Sequence, residues 1–200
     1  KNVVDLSNFL RFMQLLAGRV GQLFNSNELA NAVGVLFKLR QMWFSVLEAS
    51  YIVFRLEPYY ENFGKRLIKS PKVYFHDTGI VNYLLGIDKD SELSTHPLYG
   101  NIFENFIVME YLKRSFNYAK SDDLYFWRDS KKREIDLIIE KSDSEELIEI
   151  KYSETFNPHF LKNISFYKNL TQKNHTSKII YRGNSIKNYN NSEIINWQDF

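Results

Sequence analysis

The chain has no cysteine among its 200 residues. That excludes disulfides, cysteine-containing zinc sites and cysteine nucleophiles. Histidine is scarce: His76, His96, His159 and His175 are scattered, with no pair at four-residue spacing. Such a distribution argues against a histidine metal cluster. No apolar run approaches the roughly 18 residues that a membrane helix needs. The amino-terminal residues lack a signal-peptide pattern, so a cytoplasmic protein without a membrane partner is expected. Neither sign of charge dominates, with 26 Lys and Arg against 24 Asp and Glu. A net charge of +2 does not imply nucleic-acid binding, which a local basic patch would have to carry. There is also no initiating Met, and the expectation is a piece of a longer protein.

What is present is globular in composition, with 44% hydrophobic and 25% charged residues. Aromatic residues reach 16%, so ring packing should dominate the cores. A chain of this length suits one large domain or two small ones.

Residues 6–24, LSNFLRFMQLLAGRVGQLF, carry apolar side chains at three- and four-residue steps and predict an amphipathic helix capped by Ser7. NSNELANAVG and LFKLRQMWFSVLEAS predict two more helices, which suggests a helix-turn-helix. YIVFRLEPYY and KVYFHD read as strands around ENFGKRLIKSPK. Three helices followed by a β-hairpin is the element order of a winged helix. DTGIVNYLLGI adds a helix between an Asp77 cap and a Gly86 stop. The polar DKDSELSTHP, residues 88–97, marks the boundary between a domain at 1–90 and one at 91–200. Beyond it come a long helix, three strands, a helix opened by Pro158, the strand SKIIYRG and the strand-like EIINWQDF, with NSIKNYNNSE as a loop. That order predicts a mixed sheet flanked by helices, an α/β (α+β) class.

REIDLIIEKSDSEELIEIKYS concentrates the chemistry. Alternation puts Glu134, Asp136 and Ile138 on one strand face, and Leu147, Glu149 and Lys151 on one face of the next. With a turn near Ser142 to Ser144, antiparallel pairing sets Asp136 across from Glu149 or Lys151, roughly 5 Å apart at Cβ. Two carboxylates so close repel unless a cation lies between them. Magnesium or manganese on oxygen ligands would meet that need. An ordinary surface hairpin with a cross-strand Asp–Lys pair gives the same pattern.

Asp136 followed by Glu149-x-Lys151 resembles the core of the PD-(D/E)XK nuclease superfamily, although Ile135 stands where that motif usually has proline. GNIFENFIVMEYLK, with Gly100 and Glu104, is similar to the first helix of resolvase-like members. Together with VLEASYIVFRLEPYYENFGKRLIKSPKVYFHDTGIVNYLLGI and LYFWRD, nearly the whole chain resembles the carboxy-terminal part of bacterial and archaeal AAA+ ATPase-like proteins. The resemblance implies a winged helix-turn-helix followed by a restriction-endonuclease-like domain of unknown function. It places an ATPase domain before Lys1. No G-x-x-x-x-G-K-[ST] loop occurs here, so no ATP site is expected in this chain.

The implied activity is hydrolysis of DNA phosphodiesters. Asp136, Glu149 and Glu104 would serve as metal ligands, and Lys151 as the residue that positions or deprotonates water. The carbonyl of Ile150 would complete the shell, with Arg128 and Lys131 to Arg133 near the phosphate. DNA contacts are expected from Lys38, Arg40 and Gln41 on a recognition helix over residues 36–50. Lys65, Arg66, Lys69 and Lys72 on the wing would add phosphate contacts. The alternative is a catalytically inactive nuclease-fold module that binds DNA or protein and regulates or oligomerises the ATPase. A third reading is an assembly domain, in which the aromatic Trp43, Phe44, Tyr59 and Tyr60 would form a homo-oligomer interface.

Overall fold

The computed structural model describes residues 6–24, 37–60, 68–117 and 123–200. They form a mixed α/β chain. Its helices are α1 (Leu6–Ala17), α2 (Phe37–Ala49), α3 (Thr78–Leu85), α4 (Asp90–Thr95), α5 (Tyr99–Asn117) and α6 (Lys162–Lys168). Its strands are β1 (Val53–Pro58), β2 (Lys72–Phe75), β3 (Asp123–Arg128), β4 (Glu134–Glu140), β5 (Ser144–Lys151), β6 (Asn174–Tyr181), β7 (Ile186–Tyr189) and β8 (Ser192–Asn196). The chain divides into two compact units. One is Lys1–Arg55 with Ser70–Met109, and the other is Leu56–Lys69 with Glu110–Phe200. Among the described residues no helix is long and apolar enough to cross a membrane.

The first unit is built on aromatic packing. Helix α1 buries Phe12 and Leu16, one helical turn apart. Both join Trp43, Phe44 and Leu47 of α2, Val73 and Phe75 of β2, and Val81 and Leu84 of α3 in one core. Phe9 meets Trp43 edge-on at 5.4 Å. Helix α3 begins where the Asp77 carboxylate accepts from the Gly79 N–H. It ends at Gly86, whose φ of 70° is a left-handed stop that favours glycine. On α5, the fully buried Asn105 donates to the Phe75 carbonyl at 3.0 Å and accepts from the Phe75 N–H at 2.7 Å. A helix side chain thereby replaces a strand partner for β2.

In the second unit the strand order is β1-β3-β4-β5-β6-β8-β7. Strands β1 and β3, β5 and β6, and β6 and β8 are parallel. Strands β3 and β4, β4 and β5, and β7 and β8 are antiparallel. The middle five residues of β4 are all buried, so this strand reads as an apolar run rather than an alternating one. Ile164 and Tyr167 of α6 pack with Trp127, Ile138, Leu147, Ile179 and Ile194 in the unit's core.

One sequence expectation changes, and the segment placed at the domain boundary holds a helix. The polar segment 88–97 holds α4, whose start is held by Glu92 accepting from the Asp88 and Lys89 N–H groups. The Asn-rich segment expected as a loop carries β7 and turns into β8 through Asn190 and Asn191, at φ 52° and 60°. Consecutive asparagines tolerate the left-handed pair that a tight hairpin turn requires. Its polarity hid a strand whose residues stay largely exposed.

Candidate metal centre

Strands β4 and β5 position the site within the second unit. Their register pairs Leu137 with Ile148 and Ile138 with Leu147, which sets Asp136 across from Glu149. Asp136 is 7% exposed and Glu149 1%. The Lys151 ammonium lies 3.2 Å from Asp136 Oδ2 and 2.5 Å from Glu149 Oε2. The Ile150 N–H donates to Asp136 Oδ2 at 2.8 Å.

Electrostatics follow from this packing. Burial, and next the Asp136 charge, push the Glu149 carboxyl well above its ordinary value despite Lys151. Burial opposes the charge on Lys151. The adjoining Asp136 and Glu149 outweigh it and hold the ammonium well above its ordinary value. Lys151 is thus a fixed cation. As an ammonium it can position water or stabilise phosphoryl charge. Glu149 Oε1 is buried and has no hydrogen-bond partner among the described residues. A buried carboxylate oxygen left without a donor is costly. The donor set, two carboxylates with one orphaned oxygen, fits a hard divalent cation.

The other expected residues are distributed as follows. Glu104 belongs to the first unit. There its Oε1 accepts from Tyr74 Oη at 2.5 Å and from Lys72 Nζ at 2.8 Å. Lys72 is a correction: expected on a phosphate-tracking wing, it is 1% exposed. It opens β2 and points inward, because Glu104 supplies the counter-charge that a buried ammonium requires. Arg128 is paired with Glu134 at 2.9 Å, and Arg133 with Asp129. Hydrogen bonds from Arg133 and from the turn N–H groups outweigh burial and hold Asp129 below its ordinary value. Lys131 and Lys132 are exposed, as are Gln41 and Lys69. Lys65 and Arg66, and the side chains of Lys38 and Arg40, lie outside the described residues.

Sequence reasoning missed a second polar cluster in the same unit. Glu145, fully buried, accepts from Tyr167 Oη at 3.1 Å and lies 3.0 Å from Lys173 and 3.2 Å from His175. Lys173 in turn donates to Tyr59 Oη at 2.6 Å. These residues are scattered from 59 to 175, and only the fold gathers them.

Residues 1–91 match a domain of unknown function, DUF8612, and residues 99–200 match another, DUF4143. The chain belongs to the DUF4143 family. It is 34% identical over 152 residues to the uncharacterized protein Mb2031c of Mycobacterium bovis, and equally so to the uncharacterized protein Rv2008c of Mycobacterium tuberculosis. The aligned region is 76% of this chain and 34% of each relative, so the chain spans about a third of their length.

Proposed function

We propose that this DUF4143 chain is the DNA-associated carboxy-terminal part of an AAA+ ATPase-family protein. Its second unit would be a PD-(D/E)XK-like domain that hydrolyses DNA phosphodiesters with Mg²⁺ or Mn²⁺. The observation that carries this reading is the convergence of Asp136, Glu149 and Lys151, with Glu149 Oε1 buried and without a hydrogen-bond partner among the described residues. Asp136 and Glu149 would hold the ion. A bound divalent ion lowers the pKa of water and offsets charge on a phosphate. Lys151, fixed as an ammonium, would orient the attacking water and face the developing negative charge. The Ile150 N–H aims Asp136. In the first unit, helices α1 and α2 before strand β2 support a winged-helix reading, with the exposed Gln41 available to DNA, and the second unit adds the exposed Lys69.

A second reading also has an observation behind it. Lys151 already bridges both carboxylates, so the site is partly charge-compensated without a metal. In that reading the unit is an inactive nuclease-fold module that regulates its ATPase.

Calorimetric titration of Mn²⁺ and Mg²⁺ into the chain and into Glu149→Ala separates the two. Binding by the parent that vanishes in the variant supports the metal centre. Supercoiled plasmid should then be cut by the parent and at least tenfold more slowly by Asp136→Ala. Metal binding without cleavage favours the regulatory module. Absence of binding overturns the metal centre.

A further inference from the structure

A different cluster in the second unit carries its own chemistry. Lys168, at the end of α6, donates from Nζ to Ser177 Oγ at 2.8 Å. Ser177 Oγ lies 2.7 Å from Ser192 Oγ, either hydroxyl being able to donate. Ser177 stands on β6 and Ser192 on β8, adjacent parallel strands. Both serines are 3% exposed, and both line a polar cleft of about 480 Å³ with Lys141, Glu146, Lys178 and Lys187. Lys141 and Lys178 are each paired with Glu146, at 2.9 and 2.6 Å. Among the described residues Lys168 pairs with no carboxylate, and its hydrogen-bond partner is a hydroxyl, a poor counter-charge for a half-buried ammonium. Burial lowers the Lys168 pKa, which favours the neutral amine.

We propose that Ser177 is a nucleophile with Lys168 as its base and Ser192 as the hydroxyl that relays or orients the proton, a Ser–Ser–Lys centre for acyl transfer from small activated esters. An amine within hydrogen-bond reach of a hydroxyl, a third group to orient it and an adjoining cleft are the parts that nucleophilic catalysis requires. In the step, the Ser177 Oγ–C bond forms at the ester carbonyl and the carbonyl π pair moves to oxygen. The hydroxyl proton passes to Lys168 Nζ. Collapse breaks the bond to the leaving alcohol, which takes that proton. Water then attacks the acyl-serine by the reverse route and releases the acid. The cleft's three lysines against Glu146 and Glu193 favour an anionic ester.

The test is covalent labelling of the intact chain with an alkyl fluorophosphonate. There the Ser177 O–P bond replaces P–F and fluoride leaves. Peptide mapping by mass spectrometry should place one adduct on Ser177, with labelling abolished in Ser177→Ala. Lys168→Arg keeps a cation and a donor but cannot act as a base. It should label at least tenfold more slowly, with a melting temperature near the parent's. Ser192→Ala should slow labelling less. An unlabelled Ser177 in the folded parent, or equal rates in parent and Lys168→Arg, would overturn the proposal. The cluster would then be a hydrogen-bond clip between α6, β6 and β8.

Discussion

At the scale of single residues, the site depends on one cation between two acids. Lys151 holds Asp136 and Glu149 together, and neither residue is more than 7% exposed. Replacing it by Met preserves length and removes the charge. Breaking a fully buried ion pair costs about 3–5 kcal/mol. The Lys151 side chain is 31% exposed, so solvent relieves part of that, and about 2 kcal/mol is expected for Lys151→Met in urea denaturation. Millimolar Mn²⁺ should restore more stability to this variant than to the parent, because the ion would replace the lost charge. An unchanged midpoint in Lys151→Met would mean that the lysine is not the acids' counter-ion. Buried Glu149 shows what kind of residue was legible beforehand. Alternation in β5 put it on the face of Lys151, and cross-strand pairing brought Asp136 to it. Glu104 and Lys72 were chosen from the same sequence, but nothing local disclosed that they would pair with each other inside the first unit.

At the scale of elements, Asn105 is the sharper test. Its side chain satisfies both backbone groups of Phe75 from a helix, in a place without solvent. Asn105→Ala leaves one buried donor and one buried acceptor without their partner, at about 1–3 kcal/mol for each group that stays dry. A loss of about 2–4 kcal/mol in equilibrium unfolding is expected. A loss below about 0.5 kcal/mol would show that water takes the place of the amide. Most elements were legible from periodicity and caps. The apolar steps of α1, the Asp77 and Gly86 bounds of α3, and the β-branched runs of β4, β5 and β6 all carry local signals. Strand β7 was not legible, because its pairing with β8 supplies the order that Ile186–Tyr189 lacks in composition. Helix α4 was hidden by its polarity, having no buried residue.

At the scale of the whole molecule, acid stability follows from buried carboxylates. Glu146 is held below its ordinary value of 4.5; burial opposes this, but hydrogen bonds from Lys178 and then Lys141 outweigh it. A depressed folded-state pKa contributes stability that is complete above the unfolded value. It is lost as pH falls through the folded one. Glu146→Gln should therefore be less stable than the parent near pH 7. The gap should narrow as pH drops below about 4.5. Denaturant melts of both proteins from pH 7 to pH 3 give this difference directly, and parallel curves would refute the ion-pair origin.

The sequence by itself determined the mixed α/β class, most element positions and the face shared by Glu149 and Lys151, because these depend on periods of two and 3.6 residues. Tertiary structure alone decided which polar groups meet. It sent Lys72 inward to Glu104, gathered Tyr59, Glu145, Tyr167, Lys173 and His175, and set Lys168 against Ser177. The physical reason is burial. A polar side chain removed from water must find a partner, and partners distant in sequence are specified only by packing of the whole core.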